Sequence, residues 1–371
     1  MKPSYVFFTI CTLFLLFCLL CFPQPLLQKA IESVDLWFRL VLPSLFPFLT
    51  ATGILIRLGI AQKLGRILQP IMQPIFGLSG VCAFPLLLGI VSGYPSGAKI
   101  TVTLCQQNLL SKKEAQRILA FCNNPGPLFV IGTAGTAFLK NPVLGYIMLF
   151  SIFLGAILTG IVFRFFYTKE KNTISAHCAS SCSTTEPIGK ILGSSVADAM
   201  ETVLQIGGFV ILFGVIIEAF NQTGIFSFLT HCLSILFPFS STAIEGILGG
   251  FLEMTNGASL LSQSQESTHI QVTCITAILS FGGLSILAQT LGILAPISIS
   301  TSKYIFSKCI NSLFSATICF FCYPFLEGKL QKAVSAGFFP TKTAFSADLF
   351  CFLCTLFLSF ALLCMVFLHK E

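Results

Sequence analysis

The sequence predicts an all-α, polytopic integral membrane protein made of two structural repeats with broken or re-entrant helices. Three observations predict it. The chain is 55% hydrophobic and only 9% charged, whereas soluble domains keep about a quarter of their residues charged. Its apolar runs approach the ~20 residues that cross a bilayer. Several of those runs are broken by Gly, Pro or Asn, and breaks recur at matching places in the two halves.

The elements follow in order. Tyr5–Phe22 is an apolar run behind Met1-Lys2. It has the look of a signal peptide, but Pro23-Gln24-Pro25 follows where a small-residue cleavage site belongs, so an uncleaved first helix is expected. Leu36–Arg57 is the next span. Ala61–Ile75 mixes Gln62, Lys63, Arg66, Gln69 and Gln73 with apolar residues and predicts an interfacial helix. Val81–Gly93 and Ala98–Cys105 flank the first break. Ser111-Lys112-Lys113-Glu114 is a capping box that opens another helix. Asn123-Asn124-Pro125-Gly126-Pro127 makes the second break, and Val143–Phe166 the next span.

The second half begins after a polar, Ser/Thr-rich link, Thr168–Lys190. Gly207–Phe220 is a span. Ile244–Met254 and Ala258–Ser262 flank a third break, and Ile270–Phe281 and Leu284–Leu294 a fourth. Ser300–Phe325 and Asp348–Leu368 are spans, separated by the polar link Glu327–Thr343. The expected organisation is an N-terminal helix (1–33), repeat 1 (34–167), a linker (168–190), repeat 2 (191–325), and a polar link with a C-terminal helix (326–371). "LLGIVSGYPSGAK" aligns with "ILGGFLEMTNGAS": Gly97-Ala98 matches Gly257-Ala258, and Leu88-Gly89 matches Leu248-Gly249.

Backbone left unpaired cannot face lipid, so such breaks lie inside protein or along a polar cavity. Broken helices at corresponding places in two halves point to a transporter binding site. Gly93-Tyr94-Pro95-Ser96-Gly97 interrupts the first, and Lys99 follows where lipid depth is expected. A charge there costs about 2.5–3.5 kcal/mol on the insertion scale. A helix restarting near Gly97 aims its N–H groups and positive dipole end into the break. Lys99 adds a full charge, so the turn suits an anion. A snorkelling lysine, or an ion pair with Glu253, is the structural alternative.

In the second half, Glu253 precedes Thr255 and Asn256. It reads as a proton or cation acceptor, or as the neutralising partner of Lys99. Asn123 and Asn124 offer amides that line a polar path or satisfy carbonyls freed by the prolines. Gln289 is a lesser candidate. The site set is therefore Gly93, Tyr94, Pro95, Ser96, Gly97, Lys99, Asn123, Asn124, Glu253, Thr255 and Asn256.

Other classes find no support. The run at Gly93 is not a nucleotide P-loop, because three residues rather than four separate its glycines. No nucleophile, base and acid stand at catalytic spacing, so no enzyme is expected. The CxxC pairs at Cys18, Cys319 and Cys351 lie in apolar runs, where cysteine acts as a small hydrophobe; His177, Cys178 and Cys182 lack a clear fourth ligand. No cofactor or metal is expected. The net charge of +7 is spread over short connections. It therefore points to topology rather than nucleic acid.

"SGYPSGAK", "CNNPGPLFVIGTAG", "FLEMTNGA" and "FGGLSILAQ" together resemble the sporulation integral membrane protein family of YlbJ type. Its core is the nucleoside-recognition or Gate domain, shared with nucleoside transporters and the membrane part of ferrous-iron transporters. The resemblance implies a role in endospore formation and a transporter of a small anionic metabolite, with dipicolinate the substrate class. It also implies a multi-pass protein of the cell membrane or of the membrane around the forespore. Expected partners are the small anion and the lipid bilayer, with self-association into a homo-oligomer left open. The rival expectation is a non-transporting scaffold for cortex or coat assembly, which needs a larger soluble docking surface than these short links provide.

Overall fold

The computed structural model describes residues 3–165 and 187–335. The His177–Cys182 cluster, the first polar link as far as residue 186, the second from residue 336 and the expected last helix at Asp348–Leu368 lie outside the described residues, while the start of the second link continues the preceding helix to Ser335. Within them every regular element is helical. Among the described residues four helices are long and apolar enough to cross a membrane, and up to seven spans result if each sharply bent pair counts as one.

Helix α1 (Pro3–Cys21) contains no charged residue, and Ile10, Leu13, Leu16, Phe17 and Leu20 stay exposed, as a lipid-facing helix requires. The chain bends by 108° into α2 (Pro23–Leu36), which starts on prolines whose missing N–H is no loss there. A π-helical turn, Trp37–Val41, leads into α3 (Leu42–Arg57). The proline at 43 accounts for it, since its ring crowds the preceding turn and it offers no N–H. The span expected over Leu36–Arg57 is thus interrupted near its start. Gly59, in the left-handed region, turns the chain by 81° into α4 (Ile60–Phe76). This helix is amphipathic, as expected of Ala61–Ile75. Arg117 and Arg164 hold its C-terminal end, donating to the carbonyls of Phe76, Gly77, Pro74 and Ile75.

Helices α5 (Ala83–Ser92) and α6 (Ser96–Gln106) fold back on each other as a hairpin. Gly89 and Gly97 face across it so closely that a Cβ on Gly89 would stand 3.2 Å from the Gly97 Cα. The capping box opens α7 (Lys112–Cys122), with Ser111 and Glu114 exchanging bonds. A non-helical stretch, 123–127, separates α7 from a π-helical segment, Leu128–Phe138, and then comes α8 (Pro142–Phe165).

The second half runs α9 (Ile188–Gln222), α10 (Ile225–Leu236), α11 (Ser241–Leu252), α12 (Met254–Ser262), α13 (Thr268–Phe281), α14 (Gly283–Leu294) and α15 (Thr301–Ser335). Its order matches α3 through α8 with the π-helical segment between α7 and α8. Gly224, left-handed like Gly59, joins α9 to α10. α11 and α12 form a second hairpin, closed by Gly250 against Gly257. Small residues allow both closures.

Two cores result. One joins α4–α7 to Leu287, Ile293 and Tyr304 from the second half. The other joins Tyr94 and α8 of the first half to α11–α13 of the second. α1–α3 pack separately along α9, with Trp37 against Gly207 and Ser33 against Gly214.

Candidate functional site

The hairpin tips and the helix breaks meet in pairs. At the first tip, Gly93 has φ +81°, and a Cβ there would stand 2.3 Å from the Gly126 backbone nitrogen. A Cβ on Gly97 would stand 2.5 Å from the Cys122 carbonyl. Tip one therefore lies directly on the α7 break. At the second tip, a Cβ on Gly283 would stand 3.0–3.3 Å from the Gly250 and Leu252 carbonyls and the Glu253 nitrogen. Tip two lies on the α13–α14 break.

Tyr94 links the two pairs. Its hydroxyl donates to the Ser280 carbonyl at 2.9 Å, with that of Leu279 at 3.4 Å. These carbonyls belong to the last turn of α13, which has no helical donors of its own.

Asn123 and Asn124 are completely buried. Asn123 Nδ2 donates to Tyr304 Oη at 2.8 Å and Thr290 Oγ1 at 3.2 Å. Asn124 Nδ2 donates to the Phe121 carbonyl at 2.7 Å, and its Oδ1 accepts from Asn311 at 2.8 Å. The Asn124 amide thus satisfies a main-chain carbonyl at the break, and the Asn123 amide ties the break to α14 and α15. Lys308, absent from the expected set, has no exposed surface. Its Nζ donates to the Asn123 carbonyl at 2.8 Å, lies 3.4 Å from Asn124 Oδ1, and sits 4.9 Å from the Tyr94 ring centre. Its α15 neighbours Tyr304, Asn311 and Ser315 share one buried face. Ser96 Oγ at the first tip, Asn123 Oδ1 at the α7 break, Ser280 Oγ on α13 and Asn311 Oδ1 on α15 are buried without a hydrogen-bond partner.

The structure thus brings together Gly93, Tyr94, Ser96, Gly97, Asn123 and Asn124, with Pro95 following Tyr94 through a cis peptide bond. Lys99 is half-buried on α6. Among the described residues no ion pair joins Lys99 to Glu253. Glu253 instead caps α12, its two carboxylate oxygens accepting from the Thr255 and Asn256 backbone N–H groups at 2.9 and 2.8 Å. No side chain caps α6. Gln289 is buried and donates to Ser285 Oγ at 3.2 Å.

Lys308 carried a readable signal. A lysine inside an apolar span, with polar residues at 304, 311 and 315, marks one helical face.

Residues 38–169 match the Gate family, described as nucleoside recognition. Two structures of doubly substituted CNTnw in an outward-facing state overlap the fold. One covers 88% of this chain and 86% of its own at 13% identity with a TM-score of 0.49; the other covers 89% and 85% at 14% identity and 0.45. The sporulation integral membrane protein YlbJ of Bacillus subtilis (strain 168) is 31% identical over 322 residues, which span 82% of this chain and 79% of that protein. With that identity over that length, and several membrane-crossing helices, the chain is a multi-pass membrane protein that belongs to the YlbJ-type family of sporulation integral membrane proteins.

Proposed function

We propose that this protein is a carrier for a small anion, bound at the first turn of α6, and that it acts in endospore formation with dipicolinate as its substrate. One observation carries the reading, the contrast between the two hairpins. Glu253 is the N-cap of α12, whereas Pro95 stands at the N-cap of α6, and the residue that matches Glu253 in sequence is Gly93, which has no side chain (253 − 93 = 160, the offset that also relates Gly257 to Gly97). In the second hairpin, a carboxylate already sits on the helix start and takes two backbone N–H groups. In the first, no side chain caps the helix start. A carboxylate from outside the chain is the complement of that turn.

The surroundings favour the same occupant. Ser96 has a buried hydroxyl without a partner and can donate to an anion. Lys99 and Lys308 bring cations to the neighbourhood, with no ion pair between either and a carboxylate among the described residues. An aromatic dicarboxylate such as dipicolinate presents two acceptors and a ring. The sporulation role rests on the family, since YlbJ is named for it.

The test is uptake into proteoliposomes. The full-length protein should accumulate labelled dipicolinate and ignore the uncharged pyridine-2,6-dimethanol. Lys99→Gln should insert as well as wild type and lose at least about tenfold in uptake, a change of ~1.4 kcal/mol. Undiminished uptake by a well-inserted Lys99→Gln protein would remove Lys99 from the site. Wild-type vesicles that take up no dipicolinate would remove the substrate.

A further inference from the structure

Lys308 is the one lysine among the described residues that is buried. Its partners are unusual for an ammonium group. The Nζ atom is held by a main-chain carbonyl (Asn123), an amide oxygen (Asn124) and the face of an aromatic ring (Tyr94). All three are neutral. No ion pair joins it to a carboxylate among the described residues. Neutral oxygens around a positive charge are the ligand set of an alkali-metal ion.

The place on the backbone points the same way. α7 ends at Cys122, so its last carbonyls have no helical donors and carry the negative end of the helix dipole. Where a membrane helix is unwound, such carbonyls commonly coordinate a diffusible cation. Here a side chain from α15, 185 positions along the chain, delivers the charge. Two further oxygens, Asn123 Oδ1 at the break and Asn311 Oδ1 on α15, are buried without partners.

We propose that Lys308 is a tethered cation. It fills from within the chain the place that a sodium or lithium ion would otherwise hold at the α7 break. The protein therefore needs no alkali ion to keep Tyr94, Asn123 and Asn124 assembled. This assignment concerns what holds the break together and does not depend on which solute is carried.

Thermal unfolding of the purified full-length protein tests it, with no transport readout involved. Wild-type protein should melt at one temperature in sodium, lithium, potassium and N-methylglucamine chloride of equal ionic strength. Lys308→Ala should melt lower in N-methylglucamine and recover in a saturable way as sodium or lithium is added, because truncation opens the place to an ion. Lys308→Ser, which adds an oxygen, should do the same and stands in if the alanine variant is not recovered. Three results would overturn the proposal. They are a wild-type melting point raised by sodium over N-methylglucamine, a folded variant indifferent to the cation, and failure to recover either variant in sodium buffer. Each leaves the transport reading to its own uptake test.

Discussion

Tyr94 shows how much one side chain does at the crossing. Its ring lies beside the Lys308 ammonium and its hydroxyl serves the end of α13. Tyr94→Phe keeps the first contact and removes the second, leaving the Ser280 carbonyl buried without its donor. That should cost about 1–3 kcal/mol, read as a lower melting temperature with the fold retained. An unchanged melting temperature would mean that the hydroxyl bond adds nothing. Tyr94 was legible because it sits within a Gly-Pro-Ser-Gly run that cannot continue a helix. Lys308 was passed over because a single lysine scarcely alters the hydropathy of its span. Only the spacing of Tyr304, Lys308, Asn311 and Ser315 singles it out, and spacing alone does not say what the face meets.

Breaks and caps set the elements. Asn123–Pro127 and Gly282 interrupt helices where expected, since Pro removes donors and Gly tolerates positive φ. The third break is shorter than the sequence suggests. Thr255, Asn256 and Gly257 are helical, and the interruption is Glu253 alone, extended at φ −145° and ψ 120°. The Glu253 carboxylate permits this by supplying acceptors for the first turn of α12. Glu253→Ala should therefore cost about 0.5–2 kcal/mol, the usual range for a lost N-cap, and the Thr255 and Asn256 amides should exchange hydrogen faster. Glu253→Gln keeps one acceptor and should fall between. If neither variant alters exchange at these two amides, the cap does not hold the turn. α9 is longer than Gly207–Phe220 because its first turns, through Asp198 and Glu201, are polar enough to fall outside a hydropathy window.

The two halves are interlocked rather than side by side. Tyr304 of α15 is buried in a core built largely from the first half, and Tyr94 in one that α8 and α11–α13 build together. The all-α membrane class and the order of elements were legible because both follow from local composition. The interlock was not, because contacts such as Lys308 to Asn123 join residues far apart in sequence, and local pattern holds no record of them.

The contrast between an occupied and an open helix start has a consequence for stoichiometry. A molecule with two matching hairpins invites the expectation of two equivalents of ligand. On the proposed carrier reading, Glu253 fills the second helix start with its own carboxylate, so a dipicolinate isotherm measured by calorimetry should saturate at a single equivalent per chain. Glu253→Ala unstoppers that start, and a second, weaker equivalent should then enter the same titration. Two equivalents in the wild-type protein would show that the carboxylate is no stopper.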